Sequence, residues 1–182
     1  MDPMIAFARS PSVAWANGLG RTTELVSWTR SRDLSGPATP PWRLSIAELA
    51  GPAPFSPLPG VLRHLLPVGG PVTLSVNGSV RRVDDGIVTE FAGDDEVELV
   101  ELGSGARHAV NLMVRTGRAD SDSEHRAPLL TVGDSGDHHG PTCLVAVSLG
   151  RVDGIERFDV LDPDQLTGLP VSLPLALVGR PR

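Results

Sequence analysis

Between Val72 and Val83 the chain reads Val-Thr-Leu-Ser-Val-Asn-Gly-Ser-Val-Arg-Arg-Val, and this is its clearest structural unit. Val72, Leu74 and Val76 alternate with polar partners, so an extended strand here has one apolar and one wet face. Asn77-Gly78 supplies the positive φ angles that a two-residue hairpin turn requires. The same punctuation runs through the rest of the chain, where 20 glycines and 17 prolines fall between short apolar runs. The spacing predicts further strands over Thr22–Arg30, Trp42–Leu49, Val97–Leu102, Ala109–Arg115, Leu129–Val132, Thr142–Leu149, Arg157–Leu161 and Leu173–Val178. Turn signals separate them at intervals typical of sandwiches and barrels. The expected class is all-β.

One segment breaks the rhythm. Gly117-Arg-Ala-Asp-Ser-Asp-Ser-Glu-His-Arg126 has no apolar residue larger than alanine, so it has little to offset the entropy of ordering. The expected division is a larger N-terminal set of strands over 1–117, an exposed linker over 118–126, and a smaller C-terminal set over 127–182; an N-terminal barrel with a second, smaller barrel would look like this, and so would one irregular sandwich. A strand exchanged between the halves is compatible with this division.

Composition removes several classes of function. With 182 residues and 40% hydrophobic content the chain can bury a core. The net charge of −6 and pI near 5.3 argue against a nucleic-acid partner, which needs a clustered basic face. No apolar run approaches the 18 or so residues that a membrane-spanning helix needs, and residues 1–10 lack a secretory signal pattern. Cys143 is the single cysteine; it reads as a core thiol in a reducing, cytoplasmic setting. The acidic run from Asp84 to Glu101 lacks calcium-loop spacing and reads as a solvated hairpin edge.

Three clusters could carry chemistry. Trp15-Ala-Asn-Gly-Leu-Gly-Arg-Thr-Thr-Glu24 joins a tight turn to a run of donors and acceptors, including Asn17, Thr22 and Glu24. In Trp42-Arg-Leu-Ser-Ile-Ala-Glu48, Trp42, Leu44 and Ile46 share one strand face while Arg43, Ser45 and Ala47 share the other. If the apolar face packs between sheets, Arg43 and Ser45 point to solvent, which the residues by themselves slightly favour. If the polar face looks into a barrel, the guanidinium could grip a carboxylate. The third cluster is Gly51-Pro-Ala-Pro-Phe-Ser-Pro-Leu-Pro-Gly60, whose four prolines pre-order a loop suited to a pocket rim or a plain connection. Ser56 lies within it. Arg63 and His64 follow, and on a strand at most one of them faces a cavity.

Taken in order, W-x-N-G-x-G-x-T-x-E, W-R-L-S-I-A, F-S-x-x-P-G-x-x-R, F-x-G-D and N-L-M-x-R resemble the HutD/Ves family. The matching residues run from Trp15 to Glu24, Trp42 to Ala47, Phe55 to Arg63, Phe91 to Asp94 and Asn111 to Arg115. Leu19 stands where that family's turn usually has a glycine. The resemblance implies a bicupin: two β-barrel or jelly-roll halves in one body. It also implies a link to histidine utilisation, because such proteins are often encoded beside histidine-degradation genes.

Metal-binding cupins present H-x-H, a glutamate and a later histidine. The five histidines here, His64, His108, His125, His138 and His139, form no H-x-H, so neither metal nor cofactor is expected. No nucleophile elbow surrounds Ser45 or Ser56. The expected function is binding without turnover: a small anionic metabolite of carboxylate or formyl type, held by Asn17, Thr22, Glu24, Arg43, Ser45, Ser56, Arg63, His64 and Asn111, in regulation of histidine utilisation. The competing class is a metal-dependent or acid–base cupin enzyme, with Glu24 or His64 transferring the proton. Assembly leans toward a homodimer.

Overall fold

The structure is a computed structural model that describes residues 2–105, 107–116, 127–135, 143–152, 154–169 and 172–180. The expected linker, together with His125, His138 and His139, lies outside the described residues. Among the described residues, fourteen strands form three antiparallel sheets. In chain order they are β1 (Ser12–Ala14), β2 (Gly20–Val26), β3 (Trp42–Leu49), β4 (Ala53–Pro54), β5 (Val61–Val68), β6 (Val72–Val76), β7 (Ser79–Val83), β8 (Thr89–Ala92), β9 (Val97–Leu102), β10 (His108–Arg115), β11 (Leu129–Asp134), β12 (Cys143–Ser148), β13 (Val160–Leu161) and β14 (Pro174–Gly179). An α-helix, α1 (Trp28–Ser35), joins β2 to β3.

The sheets have strand orders β1-β2-β3-β10-β5-β8, β4-β9-β6-β7 and β11-β14-β12-β13. The six-stranded sheet lies between the other two, because its central strands β3, β10 and β5 bury both faces. Trp42, Leu44, Ile46, Val110, Leu112 and Val114 pack with Leu130, Val145, Val147, Val160, Ala176 and Val178 of the C-terminal strands. From the opposite face Ala47, Leu49, Leu65 and Ala109 pack with Val72, Leu74, Val83, Val97 and Leu99, closing the first barrel. The far side of the C-terminal sheet is covered by Ile155, Leu166 and Leu173. The class is all-β and bicupin-like, as expected.

The N-terminal segment crosses to the C-terminal half. Ile5 pairs antiparallel with Val160, and the buried Asp159 carboxylate accepts from the Phe7 amide at 2.8 Å.

The hairpin at Asn77-Gly78 forms as its residues dictate. Val76 pairs with Ser79, and φ is 49° at Asn77 and 79° at Gly78, the positive values of a two-residue turn that follows the sheet's twist. Two strand expectations are corrected. The run Thr22–Arg30 ends as a strand at Val26, and α1 starts at Trp28. Ser27 decides this: its hydroxyl accepts from the Arg30 amide at 3.2 Å, a helix cap that outweighs the strand preference of Trp28 and Thr29. Of Arg157–Leu161 only Val160 and Leu161 are strand, since Phe158 takes φ 73° and turns the chain there.

Candidate functional site

The register of the central sheet sorts the site's side chains into rungs. Met113 pairs with Arg43 on one side and Arg63 on the other, and Arg63 pairs with Phe91. The next rung inward is Glu24, Ser45, Asn111 and Leu65; the one after is Thr22, Ala47 and Ala109. Both arginines therefore share a rung, with their Cα atoms roughly 10 Å apart at two strand spacings. Small side chains at Ala47 and Ala109 leave space beneath them. The result is a cavity of about 600 Å³ in the first barrel.

Asn17, Thr22, Arg43, Ser45, Ser56, Arg63 and Asn111 line this cavity. For Arg43 and Ser45 the solvent-facing reading is overturned. Their strand's apolar face does pack between sheets, yet its polar face looks into the barrel, where Ser45 is buried and Arg43 half-buried. Glu24 is absent from the cavity wall; its carboxylate accepts from Arg43 Nε at 2.6 Å. His64 stands apart from the cavity, sharing its strand face with Leu66 and Val68, which pack toward the C-terminal sheet. Its Nδ1 lies 3.4 Å from Glu90, and its buried Nε2 has no hydrogen-bond partner among the described residues. Burial lowers the pKa of His64, with Glu90 opposing the shift.

Arg63 is 8% exposed. Its guanidinium stacks 5.1 Å from the Phe55 ring centroid and 5.2 Å from that of Phe91, and it donates to the Ser56 carbonyl at 3.1 Å. Its Nε is buried without a hydrogen-bond partner among the described residues. Loss of solvation, with repulsion from Arg43, lowers its pKa to about 10, so it remains charged at neutral pH.

The cavity rim follows from the proline-rich loop. Phe55 and Leu58 donate backbone hydrogen bonds to Val97 and Gly93 at 2.8 Å each, which fastens the loop to β9 and to the turn that follows β8. Gly93 is obligatory there: a Cβ would strike the Leu58 carbonyl and lie 2.8 Å from that of Val61. On the other side, Trp15 Nε1 donates to Thr22 Oγ1 at 2.9 Å and its ring lies against Gly20, where a Cβ would come within 2.8 Å of it. Asn17 caps the turn by accepting from the Leu19 amide at 3.0 Å. Leu19 is not among the residues with positive φ, which is why the turn accepts it in place of glycine.

The choice of polar residues passed over the apolar wall. Trp15, Leu49, Phe55, Leu58, Leu65 and Met113 also line the cavity. Strand parity could have found Leu49 and Met113, which sit two and four positions from Ala47 and Ala109 on the same face.

Elsewhere the acidic run has structural work. Asp84 pairs with Arg82 at 2.7 Å, Asp85 accepts from the Gly69 amide, and Asp95 accepts from Asn77 and Ala92. Among the described residues no three His, Cys, Asp or Glu side chains come together as a metal site would require. Burial pushes the Cys143 thiol up to about 11, leaving it protonated and unreactive. No helix among the described residues is long and apolar enough to cross a membrane.

The HutD family model matches residues 6–156. Protein Ves of Cronobacter sakazakii is 36% identical over 113 residues, 60% of this chain and 59% of its own length. Protein Ves of Citrobacter koseri is 34% identical over 113 residues, 60% of this chain and 56% of its own length. The match thus spans less than two thirds of these curated relatives. Among solved structures, HutD from Pseudomonas fluorescens SBW25, in a formate condition, superposes with a TM-score of 0.61 at 23% identity, over 97% of this chain and 92% of that one. A conserved protein of unknown function from Pseudomonas aeruginosa PAO1 gives 0.61 at 19% identity, over 97% and 90%. At these identities the structures establish the shared fold.

Proposed function

The chain belongs to the HutD family, and on that premise we propose that its first barrel receives a small anionic metabolite, with Arg63 as the anchor, in the regulation of histidine utilisation and without turnover. The observation that supports this is the electrostatic imbalance of the cavity. Among the described residues Arg63 makes no ion pair, while Arg43 is matched by Glu24. An unpaired charge removed from water is costly, and a ligand carboxylate or formyl oxygen would offset that cost. The two flanking aromatic rings and the fastened loop hold the guanidinium in place before binding, so little entropy is lost on association. Asn111 and Ser45 add polar contacts one rung deeper, and Trp15 and Leu49 offer an apolar wall for the ligand's body.

N-formylglutamate and urocanate, intermediates of histidine breakdown, are the first compounds to test. A thermal-shift panel of such metabolites, run with and without chelator, checks the proposal. Saturable stabilisation by one of them follows from mass action on the folded state and is the expected outcome. Consumption of the metabolite, or loss of stability on chelation alone, would instead favour the enzyme class. No stabilisation by any of them would count against the proposal.

A further inference from the structure

Among the described residues, the cavity wall contains two charged side chains, Arg43 and Arg63, and no carboxylate. They differ in what holds them. Arg63 is fixed by aromatic rings and a neutral carbonyl. Arg43 is held by Glu24, Nε to Oε2 at 2.6 Å, with the two side chains 27% and 33% exposed. Glu24 is paired by register with Ser45, not Arg43, and it reaches Arg43 along the strand from beside a register shift between Glu24 and Val26. A bulge of this kind re-aims a side chain. Here it lets Leu25 and Val26 both enter the core behind the sheet, while Glu24 is left to face the arginine rung.

From this we infer that Glu24 determines the charge of the ligand: by neutralising Arg43 it leaves the cavity with one uncompensated positive charge, and so selects a monoanion over a dianion. The inference rests on the ligand-binding reading above. A second ligand carboxylate near Arg43 would have to displace Glu24 from its contact or sit beside it as a like charge. Either raises the free energy of the doubly charged ligand and leaves the singly charged one almost untouched. Glu24 acts through Arg43 and is a positioning residue, so its signature is a ratio of affinities and not an overall loss of binding.

N-formylglutamate and N-formylglutamine test this well, since they are nearly isosteric and differ by one carboxylate replaced by a carboxamide. Their dissociation constants are measured by calorimetry on the intact protein and on Glu24→Gln. The wild type is expected to bind N-formylglutamine at least as tightly as N-formylglutamate. Glu24→Gln is expected to move the ratio about tenfold toward the dianion, as removal of a like charge at short range implies. Glu24→Asp, which keeps the charge, should keep the wild-type order. If both compounds bind and the ratio is unmoved in Glu24→Gln, the inference is overturned while the binding site stands. If neither compound binds either protein, the binding reading fails and the inference falls with it.

Discussion

The two faces of the six-stranded sheet are made from the same strands and do opposite things. Toward the C-terminal half, Trp42, Leu44, Ile46, Val110, Leu112 and Val114 form a dry seam, each of them 1% exposed or less. Toward the first barrel, the alternate residues Arg43, Ser45, Asn111 and Met113 leave a cavity with two charges in its wall. A period of two residues is all that separates them. One face spends its area on cohesion; the other keeps polar groups close together that would lower stability if nothing bound them. The difference suggests that stability and recognition can be changed independently in this protein.

The largest effect should come from the seam. Trp42 is fully buried, and its indole donates to Ser35 Oγ at 3.1 Å. Trp42→Ala is expected to cost about 3–5 kcal/mol through the cavity it leaves, read from the denaturant midpoint. The affinity of the molecules that remain folded should change little. A loss of affinity as large as the loss of stability would break the proposed independence of the faces.

Arg63→Ala is the converse experiment. Truncating a buried charged anchor typically costs 2–5 kcal/mol of binding, so affinity for an anionic ligand should fall about 100-fold. Stability should hold or rise, because a desolvated guanidinium with an unpartnered Nε is removed. Arg43→Ala comes next: with its charge already shared with Glu24, the affinity loss should be about tenfold or less. Equal losses at the two positions would show that the cavity does not distinguish them.

Much of this contrast was legible in the residues. The alternation in Trp42–Leu49 separates the two faces without any structure, and Asn77-Gly78 fixes its hairpin. What alternation could not decide was whether the polar face was wet or enclosed. That depends on a second sheet contributed by residues 53–102, a long-range fact that no local window contains. The same holds for His64, whose face is set by a strand beginning at Val61 but whose burial comes from packing on the far side of the sheet. Helix α1 was missed for a local reason, since its cap at Ser27 is a single hydroxyl within a run of strand-forming residues.

The smallest effect is the one that compares Arg63 with His64 directly. They are neighbours on one strand, facing opposite ways and almost equally buried, at 8% and 3% exposure. Burial lowers both pKa values, yet the consequences diverge at neutral pH because the two groups start so far apart. Arg63, brought to about 10, keeps its proton. His64 starts at 6.5 and is lowered from there, so it is neutral in the folded protein at pH 7. Below pH 6.5 the unfolded chain takes up a proton at this residue that the folded one resists. The unfolded state then binds more protons, and stability falls as the pH drops from 6.5 toward the lower folded value. His108, also lowered by burial and by Arg157, contributes with the same sign. Each histidine can add a slope of at most about 1.4 kcal/mol per pH unit. His64→Leu is expected to reduce the acid loss of stability between pH 6.5 and 5, measured by denaturation across that range, and His108 should account for part of what remains. Glu90→Gln should deepen the loss, because Glu90 is the group that holds the His64 pKa up. An acid limb unchanged by His64→Leu would mean that the seam face is wetter than its burial implies.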